Sequence, residues 1–193
     1  MTEYPNWFKQ TAQENFRNYL TEFKDLPNLN FLQIGAFTGD ASLWMLQNIL
    51  TNKSSMLMDV DTWAGSKDEQ VHAEMDFDDV YNTYLAKTGY PNREFRKMTS
   101  TKFFMETGCA RPYGYDFIYI DGDHTASVVL DDAVMAWYYL KPGGIMAFDD
   151  YTWEHPSGEW HLNPRPAINA FALIKRLEFE VLVSNDQFWI RKK

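Results

Sequence analysis

Short apolar runs recur along this chain, each closed by a polar or glycine-containing turn and followed by a segment with apolar positions at helical spacing. Leu32 and Ile34 open the first predicted strand; residues 56–60, 95–98, 117–120 and 145–148 give four more. Between them, residues 41–50, 69–85, 101–107 and 128–140 have helical composition, and the second of these is stopped near Gly89 and Pro91. Ahead of the first strand, residues 4–24 bring Phe8, Phe16, Tyr19 and Phe23 toward one helical face before Pro27 ends the pattern. Residues 167–177 predict a last helix, and residues 179–184 and 188–191 a closing pair of strands around Asn185 and Asp186. Strand and helix in alternation, ending in a hairpin, predict a three-layer α/β fold whose sheet is mostly parallel with an antiparallel C-terminal strand.

A length of 193 residues fits a single domain over 1–193, with 1–28 as an N-terminal helical segment. Hydrophobic content of 45% supplies a core, and no long single-sign run argues for disorder. The net charge of -9 disfavours nucleic acid, whose phosphates call for a basic footprint. Arg93, Arg96, Lys97 and Lys102 form one local basic patch, which reads as a solvated face. Cys109 is the sole cysteine, so neither an intrachain disulfide nor a cysteine-based zinc site can form. The first residues lack the basic-then-apolar order of a signal peptide, and no apolar stretch approaches the roughly 20 residues that span a bilayer. The expected setting is soluble and cytoplasmic.

Chemistry concentrates at two predicted strand ends. One reads Tyr115-Asp-Phe-Ile-Tyr-Ile-Asp121-Gly-Asp123-His124, the other Ile145-Met-Ala-Phe-Asp149-Asp150. In a parallel sheet these residues share the carboxyl edge, where open α/β folds keep their ligands. Asp-Gly is ordinary turn chemistry, but carboxylates on two adjacent strand ends repel unless a proton or cation intervenes. Hard oxygen donors without thiolates suit magnesium, manganese or calcium rather than zinc. Upstream, Gly35 and Gly39 make a turn after the first strand that lets a bound group approach the backbone, although no G-x-G-x-x-G is present. An acid at the end of the second strand, Asp61 or else Asp59, is placed to accept from the ribose hydroxyls of an adenosine cofactor.

Five segments in order carry a family resemblance: Gln33-Ile-Gly-Ala-Phe-Thr-Gly39, Asp61-Thr-Trp63, the Asp121 to His124 strand end, Lys141-Pro-Gly-Gly144 and Phe148-Asp-Asp-Tyr151. The chain resembles class I S-adenosylmethionine-dependent methyltransferases, in particular small members similar to metal-dependent sugar and macrolide O-methyltransferases. The resemblance implies a Rossmann-like sheet and a cofactor held by Gln33, Gly35, Phe37, Gly39, Asp61, Trp63 and Asp121, with Ser100 near the adenine. Ser100 also reads as a helix cap. Gln33 departs from the family, where an acid usually stands. By the same resemblance, Asp121, Asp149 and Asp150 are the metal ligands, His124 is the base, and Asp121 shares in catalysis. The implied acceptor is a hydroxyl on a small polar molecule, a sugar or glycosylated metabolite. A catechol-like phenol, a metal-independent reaction and a degenerate binding module are the alternatives.

Residues 151–165 form a long loop rich in Trp, His, Pro and Gly, expected over the mouth of the site. Trp153, Trp160 and Tyr151 from this loop, with Trp63, are candidates for a lid or a sugar-stacking platform. His155 and His161 read as surface or acceptor contacts, and His72 as solvated. Aromatic residues in the N-terminal segment could support a homo-oligomer.

Overall fold

The computed structural model describes residues 4–65, 72–107 and 114–193. Cys109 and the first residues of the predicted helix over 69–85 lie outside the described residues. Seven strands form one sheet: β1 (Asn30–Ile34), β2 (Met56–Asp61), β3 (Arg93–Lys97), β4 (Tyr115–Ile120), β5 (Leu140–Phe148), β6 (Phe179–Ser184) and β7 (Phe188–Lys192). Their order is β3-β2-β1-β4-β5-β7-β6. β1 to β5 run parallel, and β7 inserts antiparallel between β5 and β6. The sequence-predicted sheet, antiparallel C-terminal strand included, is the observed one.

Alternation along the strands builds a core on each face. Leu32, Ile34, Ile118, Ile120, Met146 and Phe148 point to one side, where Phe103, Phe104, Val129, Trp137, Ile168 and Phe171 meet them. Those partners come from α4 (Ser100–Thr107), α5 (Ala126–Tyr139) and α6 (Pro164–Lys175). Phe31, Phe117, Tyr119, Ile145 and Ala147 face the other side, covered by α1 (Gln13–Leu20) and α2 (Asp40–Asn48). Phe16 is the centre of that layer, edge-on to Phe8, Trp44, Phe117, Tyr119 and Trp189. A smaller cluster of Ala36, Trp63, Val80 and Tyr84 seats α3 (Phe77–Lys87). No described helix is long and apolar enough to cross a membrane.

Three local departures from the predicted elements have physical reasons. The N-terminal segment is not one α-helix: a π-helical turn over Phe8–Ala12 precedes α1. α3 begins at Phe77, because the Asp76 carboxylate accepts from the amides of Asp78 and Asp79 and caps the helix there. α6 begins at Pro164, whose missing N–H costs nothing in the first turn.

Asp59 lies on β2, fully buried, and accepts a 2.8 Å hydrogen bond from the Tyr84 hydroxyl. Burial pushes its carboxyl up to about 7, against the Tyr84 bond, which favours the anion. The folded state therefore favours the protonated form; the stability it carries is full below the ordinary value near 3.8 and is lost as pH rises through about 7. Asp59→Asn keeps the shape and removes the loss. Its melting temperature relative to the native chain should climb between pH 4 and pH 8, by an amount on the order of 2 kcal/mol in stability. A difference constant across that range would show that Asp59 stays ionised in the fold.

Candidate active-site cleft

A cleft of about 690 Å³ opens along the carboxyl ends of β1, β2, β3, β4 and β5, within the range of small-molecule sites. Its floor depends on the turn after β1. Gly35 has φ +83°, and a Cβ there would stand 1.7 Å from the Asp121 carbonyl oxygen, so only glycine permits this approach of β1 to β4. The ladder continues through the turn: the Gly35 amide donates to Val60 and the Asp121 amide to Ile34.

Asp61 holds the same turn. Its Oδ2 accepts from the Ala36 and Phe37 amides at 2.7 and 2.9 Å, and its Oδ1 from the Trp63 amide at 2.7 Å. Three backbone donors thus occupy most of a carboxylate's roughly four acceptor positions, which leaves Oδ1 room for one more bond at the cleft wall. Asp59, the other candidate at this strand end, bonds Tyr84 beneath the sheet edge and does not line the cleft.

Gln33 is buried and is committed to the turn from below. Its Nε2 donates to the Gly35 carbonyl at 2.8 Å, and its Oε1 accepts from the Ser42 hydroxyl at 3.0 Å. Neither Gln33 nor Gly39 lines the cleft. A Cβ at Gly39 would meet the Thr88 and Tyr84 side chains at 2.7 and 2.9 Å, so this glycine serves the packing of α3. Phe37, at φ +46°, presents its ring to Trp7 at 4.9 Å and to His72 at 6.3 Å. Trp63 donates from Nε1 to the Phe37 carbonyl and packs on Tyr81, Tyr84 and Phe95; it lines the cleft from within the core. Ser100 lines the cleft as the first residue of α4, while Thr99, not Ser100, caps that helix by accepting from the Lys102 amide.

At the ends of β4 and β5, ligand atoms of Asp121, His124 and Asp150 lie within 4.8 Å of one another. His124 Nε2 is 2.9 Å from Asp150 Oδ2, and its ring packs on Trp153 at 4.7 Å. Asp149 is also at the cleft, but its oxygens are occupied: Oδ2 accepts from the Tyr119 hydroxyl at 2.6 Å and Oδ1 from Gln187 Nε2 at 2.8 Å. Gln187 in turn accepts from Asn15 of α1 at 2.8 Å and from Trp189 Nε1 at 2.9 Å. Asp123 accepts from the Thr125 amide ahead of α5 and stands outside the converging set. Removal from water raises the Asp121 carboxyl well above its ordinary range, with Asp149 and Asp150 adding repulsion. Burial, then Asp150, pushes Asp149 up to about 6 against the bonds from Tyr119 and Gln187. Such a group takes up a proton or a cation.

The aromatic residues divide. Trp153 lines the cleft; Trp160 is exposed away from it, and Tyr151 packs on Phe188 and donates to Asn169. His155 pairs with Ser157, and His161 lies beside Glu159. His72, expected to be solvated, instead stacks on Phe37 at the cleft wall. Sequence reasoning also missed Trp7, Phe8 and Thr11, which the π-helical turn presents to the cleft while Ala12 and Phe16 enter the core. The N-terminal aromatics held that signal. Asp132 on α5 carried none, because a second acid in a helix reads as solvent-facing.

Because Gln33 donates to a carbonyl oxygen, Gln33→Glu places an acceptor against an acceptor in a buried position. The variant should melt lower by about 1–3 kcal/mol, the usual cost of an unmatched buried polar pair. Calorimetry should show unchanged or weaker cofactor binding; tighter binding with full stability would mean that the side chain turns outward to the ligand.

The chain matches the profile of a family described as a methyltransferase domain over residues 32–151. An uncharacterized protein of Acanthamoeba polyphaga mimivirus is 25% identical over 171 residues, covering 85% of this chain and 69% of that one. Among solved structures, an O-methyltransferase from Bacillus cereus in complex with SAH superposes with a TM-score of 0.62 at 14% identity, covering 100% of this chain and 93% of that chain. MycE, a methyltransferase of the mycinamycin pathway solved with Mg, SAH and mycinamycin VI, gives 0.63 at 14% identity; 99% of this chain spans 50% of it. TomG, an O-methyltransferase from Streptomyces achromogenes solved with SAM, gives 0.59 at 14% identity, covering 100% and 91%. These likenesses show a shared fold, and the family match spans the glycine turn, Asp61 and both acidic strand ends. The chain belongs to the methyltransferase-domain family and is an S-adenosylmethionine-dependent methyltransferase of the class I fold.

Proposed function

We propose that this chain methylates a hydroxyl of a small polar acceptor, a sugar or glycosylated metabolite, with help from a divalent cation. The observation that carries the reading is the convergence of Asp121, His124 and Asp150 at the cleft. S-adenosylmethionine would be held by the Gly35 to Phe37 backbone, by Asp61 and, at its methionine end, beside Asp121; when bound it supplies a methyl group on a sulfonium centre. The glycine approach at Gly35 supports this fit. Magnesium, manganese or calcium would be held by Asp121 and Asp150 with Asp149 behind them, and such an ion lowers the pKa of a hydroxyl. The donor set fits a hard cation, since carboxylates predominate and no thiolate is present among the described residues.

His124 is the base in this reading. Its imidazole accepts the hydroxyl proton, and the Asp150 carboxylate beside Nε2 stabilises the imidazolium that results. Trp153 restricts the ring from one side. Methyl transfer needs the nucleophile lined up behind the methyl carbon, so positioning supplies much of the rate. Trp7 and Trp153 offer flat walls for a sugar face or an aromatic ring. The complex of MycE with mycinamycin VI supports a small-molecule acceptor. A second reading makes His124 a cation ligand, favoured by its place in the converging set.

Thermal melts separate these readings. Magnesium, manganese or calcium should raise the melting temperature by a few degrees, and a chelator should reverse the gain. Folding favours the protonated forms of Asp121 and Asp149, so without the ion the stability that Asp149 carries is lost as pH rises through about 6, and the raised Asp121 carboxyl adds a loss of the same sign. Protons compete with the ion at low pH, so its effect should be larger at pH 8 than at pH 5.

In a transfer assay against nucleotide sugars, free glycans, catechols, oligonucleotides and peptides, His124→Ala should lose about 10²-fold or more in rate. It should keep the thermal response to the ion; loss of that response would make His124 a ligand. Transfer to a nucleic acid or an amine, undiminished in this variant, would overturn both acceptor and base.

A further inference from the structure

Beneath the turn after β1 lies a line of buried polar side chains whose hydrogen bonds have a direction. The parallel register sets Gln33 of β1 beside Asp59 of β2, and Ser42 of α2 is buried with them. Gln33 Nε2 donates to the Gly35 carbonyl at 2.8 Å, and Gln33 Oε1 accepts from the Ser42 hydroxyl at 3.0 Å. Asp59 Oδ2 accepts from Tyr84 at 2.8 Å, while Asp59 Oδ1 is buried with no hydrogen-bond partner among the described residues.

The number of protons decides how this line closes. A hydroxyl has one proton to donate and two lone pairs that accept. Ser42 gives its proton to Gln33, so toward Asp59, which it stands near enough to influence, its oxygen presents lone pairs. An ionised Oδ1 there is an unmatched buried acceptor; a protonated one is the donor that the line lacks. Burial drives Asp59 to the same state and pushes its carboxyl up to about 7. Tyr84 on α3, Ser42 on α2 and Arg93 on β3 favour the anion, and Asp61 on β2 opposes it. With Asp59 protonated, every bond runs one way: Asp59 to Ser42, Ser42 to Gln33, Gln33 to the Gly35 carbonyl. Ionised Asp59 draws the Ser42 proton to itself, and Gln33 Oε1 loses the donor that fixes which end of the amide faces Gly35.

We infer that Asp59 and Ser42 are positioning residues for the cofactor: protonated Asp59, acting through Ser42, fixes the Gln33 amide and with it the Gly35 carbonyl, and ionisation of Asp59 loosens the turn. Neither side chain lines the cleft, so both act through Gln33. The inference rests on the reading of the Gly35 turn as the cofactor's seat.

Calorimetry with S-adenosylhomocysteine at pH 6 and pH 8.5 tests it on the native chain, Asp59→Asn and Ser42→Ala. Asparagine donates to Ser42 and accepts from Tyr84 at every pH, so it holds the line in its protonated sense. The ratio of the native Kd to that of Asp59→Asn should rise by about 3-fold or more between the two pH values, the effect of one hydrogen bond. Asp121 and Asp149 titrate alike in both proteins and cancel from this ratio. Ser42→Ala, which breaks the line, should bind about 3-fold more weakly than the native chain at pH 6, with the gap closing at pH 8.5. It carries the test should the asparagine variant fail to fold. Affinities of the native chain and a folded variant that stay in constant ratio would overturn this inference alone. No binding to the native chain at millimolar ligand would overturn the cofactor reading of the turn together with it.

Discussion

The site depends on one steric permission, the absence of a side chain at Gly35. The Asp121 carbonyl oxygen occupies the space that a Cβ would fill, so the ends of β1 and β4 close on each other without a gap. With that approach fixed, the Gly35 and Asp121 amides extend the sheet's hydrogen bonds one step past its formal end. Asp61 then gathers Ala36, Phe37 and Trp63 from above, and Gln33 anchors the Gly35 carbonyl from below. Four backbone groups of the turn, the Gly35 amide and carbonyl and the Ala36 and Phe37 amides, are thereby satisfied before any ligand arrives. The turn is preorganised, which lowers the ordering cost of binding.

Against this rigid element stands a group of acids held in a state they would not choose alone. Asp121 and Asp149 sit where water is scarce, and the carboxylates beside them raise their proton affinity further. The same chain buries Asp59 and Asp132, both pushed up to about 7 by burial. Asp59 has a tyrosine hydroxyl for a partner and lies away from the cleft, as a polar tie within the fold. The others border the cleft, where a cation or a donor can relieve them. Strain of this kind accumulates at binding sites because stability is given up there for function.

Sheet and helices were legible in the sequence because apolar alternation and helical spacing report directly which face is buried, as Leu32 with Ile34 and Met146 with Phe148 show. The meeting of Asp121, His124 and Asp150 was legible too, since a parallel crossover leaves adjacent strand ends only one edge to share. What a side chain does at that edge was not. Asp61 stands at the cleft wall as expected and also gathers three amides, and the Gln33 amide donates to the Gly35 carbonyl; neither set of bonds is written in the local sequence. Asp149 and Asp150 are neighbours in sequence but split between a buried network and the cleft, because Asp150 turns at φ +56°. Trp7 and His72 approach the cleft through tertiary packing on Phe37, which no local pattern encodes.

Gln187 joins parts of the chain that are far apart in sequence. Its oxygen accepts from Asn15 and Trp189, and its nitrogen donates to Asp149. An amide can exchange its two ends by a half-turn at little steric cost, so only its partners dictate which end faces the acid. Asn15 and Trp189 act as a polarity lock: while both present N–H groups, Gln187 must offer Asp149 a donor. A hydrophobic residue at position 15 would remove one of the two votes and make the reversed orientation, oxygen against carboxylate, less costly. Positions 15, 149 and 187 thus form a single coordinated choice, although 172 residues separate the first from the last.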